Sequence, residues 1–151
     1  MESNVIEGKI INLKNEIFSM ANRRKVQTGL PVNIWIDEKK GYIDGGHWKR
    51  IKFQLNHGTK TFHQPEASMD LNGNVIENTY DNTVSELSSK DIKAVSNFVK
   101  NNSYALSKVA DEDIFMDQFD EVMIKGGEPA TEEQIKNQKI LVDEFIKENE
   151  E

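Results

Sequence analysis

Cysteine is absent from this sequence, and that absence removes a whole set of chemistries. Without a thiol there is no disulfide framework, no thiolate zinc site, no iron–sulfur centre and no cysteine nucleophile. Histidine, the usual acid–base and metal-binding side chain near neutral pH, occurs three times, as His47, His57 and His63. The His57-x5-His63 spacing is not the i, i+4 that sets two ligands on one helical face. Convergence of two histidines across a sheet, with Glu66 or Asp70 as a third ligand, stays open. No apolar run approaches the roughly 20 residues that a membrane-spanning helix needs. Met1-Glu2-Ser3-Asn4 leads into neither a basic region nor an apolar run of the secretory kind, so the expected location is cytoplasmic. Also missing are a Gly-x-Ser-x-Gly elbow, a Gly-x-x-x-x-Gly-Lys phosphate loop and a Gly-x-Gly-x-x-Gly fingerprint. The pair Gly45-Gly46 follows a charged loop, not a strand that leads into a helix. These absences point away from an enzyme, and no cofactor or metal is expected.

What is present suits one domain, residues 1–151, with a frayed tail over about 147–151. The net charge of −7 hides a split. Residues 1–64 carry eleven Lys/Arg against six Asp/Glu, a balance of +5. Residues 65–151 carry eight against twenty, a balance of −12. Such asymmetry orients a protein toward charged partners without determining its fold.

Hydrophobic spacing gives the elements. Ile6, Ile10, Leu13, Ile17 and Met20 recur at helical spacing over Val5–Asn22, and Arg23-Arg24-Lys25 follows where cations favour a helix C-terminus. The Ile10-Ile11 pair keeps a strand reading open for part of that segment. Gly29 and Pro31 then break the chain. Residues 32–37 and 48–56 alternate as strands: Ile51, Phe53 and Leu55 point one way, Arg50, Lys52 and Gln54 the other. Asn72-Gly73, between Met69-Asp70-Leu71 and Asn74-Val75-Ile76, predicts a type I′ hairpin with arms over 66–71 and 74–79. A calcium loop there is excluded, because its glycine falls fourth rather than sixth and Asp81 stands where a bidentate Glu is required.

From Leu87 the period becomes helical. Ser88 with Asp91 forms a capping box, and Ile92, Val95, Val99, Leu106 and Val109 mark a buried stripe over 88–109. Asn101-Asn102 interrupts that helix or ends its first part. A second helix is predicted over 112–124, with Ile114, Phe115, Phe119 and Val122 inward and Gly126-Gly127 closing it. A third covers 131–147, capped by Thr131 and Gln134, with Ile135, Leu141, Phe145 and Ile146 along one side. Strands in the middle and helices at the ends predict an α+β fold, an antiparallel sheet of about four strands packed by three to four helices.

Two faces carry charge in a pattern that suits binding. If the central strands pair, Trp35 shares a face with Arg50 and Lys52, and Lys39, Lys40, Trp48 and Lys49 lie nearby. Cations interleaved with an aromatic suit a nucleic acid strand, an acidic protein segment, or this chain's own acidic half. Alternatively Trp35 is core and the cations snorkel around it. The second face is acidic: Asp113, Asp117, Asp120 and Glu121 share a side at helical spacing, and Asp111-Glu112-Asp113 lie where a helix dipole attracts carboxylates.

Gly29-Leu30-Pro31 before Val32-Asn33-Ile34-Trp35-Ile36, the strand Arg50-Ile51-Lys52-Phe53-Gln54, and Leu87-Ser88-Ser89-Lys90-Asp91 with Asn101-Asn102 at the far end of its helix form a set. Over about residues 29–110 the chain resembles small uncharacterised bacterial proteins carried by phage or mobile elements. That resemblance implies a context and no activity. The expected function is a non-enzymatic protein-interaction module, including a phage or mobile-element accessory or inhibitor protein, with another protein as partner and no membrane. The alternatives are nucleic-acid binding through the basic sheet face and a metal-assisted hydrolase or nuclease.

Overall fold

The computed structural model describes residues 20–37, 49–57 and 65–151. Four strands form an antiparallel meander: β1 (Met20–Arg23), β2 (Ile34–Asp37), β3 (Arg50–Gln54) and β4 (Glu66–Asp70), in spatial order β1-β2-β3-β4. A single helical turn, α1 (Lys25–Thr28), joins the first two. Four helices follow the sheet: α2 (Ser89–Asn101), α3 (Ser103–Ala110), α4 (Met116–Val122) and α5 (Glu132–Asn149). The α+β class and the antiparallel sheet are as the sequence predicts.

Register explains the layering. Ile34 stands opposite Phe53 and Ile36 opposite Ile51; Ile51 and Phe53 in turn face Met69 and Ala67. Alternation puts these six on one face. They join Val95, Phe98 and Val99 of α2, Ala105, Leu106 and Val109 of α3, Phe119 and Val122 of α4, and Val142 of α5 in one core. Each large side chain buried there contributes about 1.5–3 kcal/mol relative to exposure. The apolar α3 sits centrally, packed on β2, α2, α4 and α5.

Several elements differ from expectation, each for a local reason. Of the predicted helix Val5–Asn22, residues 5–19 lie outside those described, and Met20–Arg23 is strand. It pairs with β2, Ala21 opposite Ile36 and Arg23 opposite Ile34. Arg23-Arg24-Lys25 therefore ends a strand and opens α1. The 74–79 arm is not a strand. After the bridge between Met69 and Val75 the chain turns through a 3-10 segment, Glu77–Thr79. There the Thr79 hydroxyl accepts the Ser68 N–H at 2.9 Å, taking the place of a ladder carbonyl.

The turn itself is not type I′. Gly73 has φ +84°, but Asn72 is not among the positive-φ residues. Gly73 N–H bonds Asp70 O at 3.1 Å, and Asp70 N–H bonds Asn74 O at 2.9 Å. This is a three-residue loop with glycine in the left-handed position. A Cβ on Gly73 would lie 2.7 Å from Ser96 Oγ, the same hydroxyl that donates to Gly73 O.

The predicted 88–109 helix breaks at Asn102, whose side chain bonds Phe98 O of α2 and also Ile124 and Gln138. Both capping boxes form: Ser88 Oγ accepts from Asp91 N and Thr131 Oγ1 from Gln134 N, each at 3.1 Å. The 112–124 helix starts later, at Met116, so Ile114 is core but Phe115 points outward. Gly126-Gly127 does not cap it. Gly126 N–H bonds Thr28 O at 2.7 Å, and Gly127 passes against Ala94. In α5, Ile135 and Leu141 are exposed, and the buried positions are Gln138 and Val142. That helix continues through Lys147 to Asn149, where the Asn149 amide donates to Asp113 O and Gln118 Oε1.

Candidate interaction surfaces

The second face of the sheet carries Trp35, Arg50 and Lys52 of the predicted set. Trp35 stands opposite Lys52, which stands opposite Ser68, and Arg50 and Gln54 lie two residues to either side. Trp35 is 6% exposed and Arg50 8%, with Gln54 and Ser68 also buried. Trp35 is thus enclosed rather than laid open for stacking. The lysines are engaged as well. Lys49 Nζ donates to Asp111 Oδ2 at 2.8 Å and to Ser107 Oγ at 2.7 Å. Lys52 Nζ lies 3.5 Å from Glu66. Lys39, Lys40 and Trp48, with His47 and His63, fall outside the described residues.

Among the described residues no group of three or more His, Asp or Glu stands where it could hold a metal ion. His57 Nε2 lies 3.0 Å from Asp91 Oδ2, the carboxylate oxygen that also caps α2 by accepting the Ser88 N–H. Asp70, a candidate third metal ligand from the sequence, accepts the N–H groups of Asn72 and Asn74 through Oδ1. Among the described residues no helix is long and apolar enough to cross a membrane.

The acidic surface is arranged differently from the helical stripe expected. Asp113 lies in the turn between α3 and α4, with an oxygen 3.7 Å from Lys108 Nζ. Asp120 is on α4 and takes both Arg23 nitrogens, Nε and Nη2, at 2.8 Å, which ties α4 to β1. Asp117 and Glu121 are exposed on α4, and Glu112 is exposed in the turn, where its φ is +62°.

Between this turn and α4 opens a cleft of about 360 Å³ lined by Val109, Glu112, Ile114, Phe115 and Met116. Phe115, at the start of α4, is 59% exposed, beside a floor of buried Val109 and Ile114. Its N–H donates to Gln118 Oε1 at 2.9 Å, and Gln118 and Asn149 bond each other. The turn is therefore braced by the far end of α5. Helical spacing places Phe115 in the core stripe; the signal against it is the acidic run before it, which ends one helix and delays the next.

Comparison with family models, with curated proteins and with solved structures finds no match.

Proposed function

We propose that this protein is a small non-enzymatic interaction module that presents the acidic surface of the α3–α4 turn and α4 to a basic protein partner. One observation carries the reading: the allocation of charge. Residues 109–121 include six carboxylates and no cation. Asp111, Asp113 and Asp120 are matched by Lys49, Lys108 and Arg23, which leaves Glu112, Asp117 and Glu121 facing solvent. On the sheet the balance is the reverse, since Lys49 and Lys52 are held by the chain's own carboxylates. A chain at −7 repels polyanions unless its cations are segregated and open, so a protein partner is favoured over free nucleic acid. A phage or mobile-element inhibitor that covers a basic, nucleic-acid-binding surface of a host protein fits this charge.

The test pairs a pull-down from bacterial lysate with filter-binding titrations of single- and double-stranded DNA and RNA over salt. Wild type recovers a basic protein that rebinds when purified, and Asp117→Lys/Glu121→Lys loses it. Nucleic-acid binding whose log affinity falls steeply with log salt, at roughly −0.9 per neutralised phosphate, and which survives that reversal but weakens in Lys52→Ala, would overturn the proposal.

A further inference from the structure

We infer that the basic partner anchors one apolar side chain in the cleft beside Phe115, so that the site reads a lysine- or arginine-rich segment with a single aliphatic or aromatic residue at its centre. This rests on the acidic-surface reading above and adds a specificity element to it. The cleft has the volume of a small ligand pocket, at the low end of the usual range of about 300–1,000 Å³. That is room for one large side chain and part of its backbone. Val109 and Ile114 line its floor but are buried, so the apolar surface open to a partner is mainly the Phe115 wall. Rigid, exposed aromatics beside such floors are where interface energy concentrates.

The backbone that carries the wall is held in place before any partner arrives. Phe115 N–H is bonded to Gln118, Gln118 to Asn149, and Asn149 to Asp113 O, so binding need not order the turn. The rim sets the sign of the occupant. Glu112 lines the cleft, Asp117 follows Met116 directly, and Glu121 is one helical turn further on. The nearest cation in sequence, Lys108, faces Asp113 and is stacked over the Tyr104 ring. A second copy of this chain is a poor occupant, because it would bring another net charge of −7 to an already acidic face.

The experiment uses fluorescein-labelled peptides, each lysine-rich and alike except for one central residue: Leu, Trp or Ala. Anisotropy titrations run against the full chain at physiological salt. The Leu and Trp peptides should bind about tenfold more tightly than the Ala peptide. Phe115→Ser, at a solvent-facing position where the fold is retained, should remove that preference; Glu112→Lys provides a second variant at the rim. Asp117→Lys/Glu121→Lys should weaken all three peptides and leave their ratio unchanged. Equal binding of Leu, Trp and Ala peptides, abolished by the charge reversal, overturns the anchor and leaves the acidic-surface reading standing. No binding by any peptide overturns both. Concentration-dependent dimerisation by sedimentation, lost in Phe115→Ser, overturns the anchor in favour of a self-interface.

Discussion

Replacing Asn102 with alanine should cost this protein more than any surface change, and the structure gives the size. The Asn102 side chain is fully buried. Its Nδ2 donates to Phe98 O at 2.8 Å and to Ile124 O at 3.0 Å; its Oδ1 accepts from Ile124 N at 2.8 Å and Gln138 Nε2 at 2.7 Å. Phe98 O keeps a partner in Asn102 N–H, and Gln138 keeps Val122 O. Ile124 loses the partners of both its N–H and its C=O. Each polar group orphaned away from water costs about 1–3 kcal/mol, so the two groups of half-buried Ile124 give roughly 2–6 kcal/mol. A water entering the vacated space, with three polar neighbours to bind it, pulls the figure toward the lower end. Urea unfolding followed by circular dichroism reads this as a midpoint about 1–2 M lower. Asn102→Leu should be no better, because it fills the space without serving Ile124. A loss below about 1 kcal/mol in Asn102→Ala, or strict additivity with Gln138→Leu, would refute the claim that this amide joins α2, the 122–124 segment and α5 as one network.

Gly127→Ala should destabilise by about 1–3 kcal/mol, since its Cβ would sit 2.4 Å from Ala94 Cβ. Ala94→Gly should restore only part of this in a urea titration, because Ala94 Cα is also close, at 2.7 Å. Tyr104 donates its hydroxyl to Asp143, and that bond, then partial burial and the charges of Asp143 and Asp113, pushes the phenol up to about 12. A pKa raised on folding stabilises the fold fully below the unfolded value of about 10 and loses that contribution as pH rises through about 12. Tyrosinate absorbance should therefore show a late-titrating tyrosine that vanishes in Tyr104→Phe, and a transition complete near pH 10 would contradict it.

The strands that were legible are those whose side chains alternate between core and outer face. Ile51 and Phe53 against Lys52 and Gln54 is a period-two pattern that needs no knowledge of the rest of the chain. The caps at Ser88 and Thr131 were legible for the same reason, because capping is settled within four residues. β1 was not, since Met20-Ala21-Asn22-Arg23 contains no β-branched residue. Its pairing is imposed by β2, whose partner positions lie fourteen residues or so along the chain. The hairpin at Gly73 was readable as a turn, but its second arm was lost to a side chain, Thr79, reaching back to Ser68. Phe115 shows the limit of periodicity. Ile114, Phe119 and Val122 are buried as a helical stripe predicts, yet a start delayed to Met116 turns their neighbour out to solvent and creates the cleft.

The split of charge between the two halves of the chain also has a reading that composition alone did not decide. Arg23 meets Asp120, Lys49 meets Asp111 and Lys52 meets Glu66. Each of these pairs joins the basic first half to the acidic second. Pairs that stay partly open to solvent, as these do at 14–40% side-chain exposure, are worth about 0–1 kcal/mol each, so they add little to stability. Their effect is on what remains visible from outside. Every cation matched in this way is withdrawn from an external polyanion, whereas the second half holds more carboxylates than the chain has cations to match. Part of that surplus, Glu112, Asp117 and Glu121, falls on the α3–α4 turn and α4, beside the exposed Phe115, and more of it lies along α5. On the proposed reading, a partner that approaches this turn meets carboxylates beside the exposed Phe115, and positive charge together with an apolar side chain is what that pairing would select.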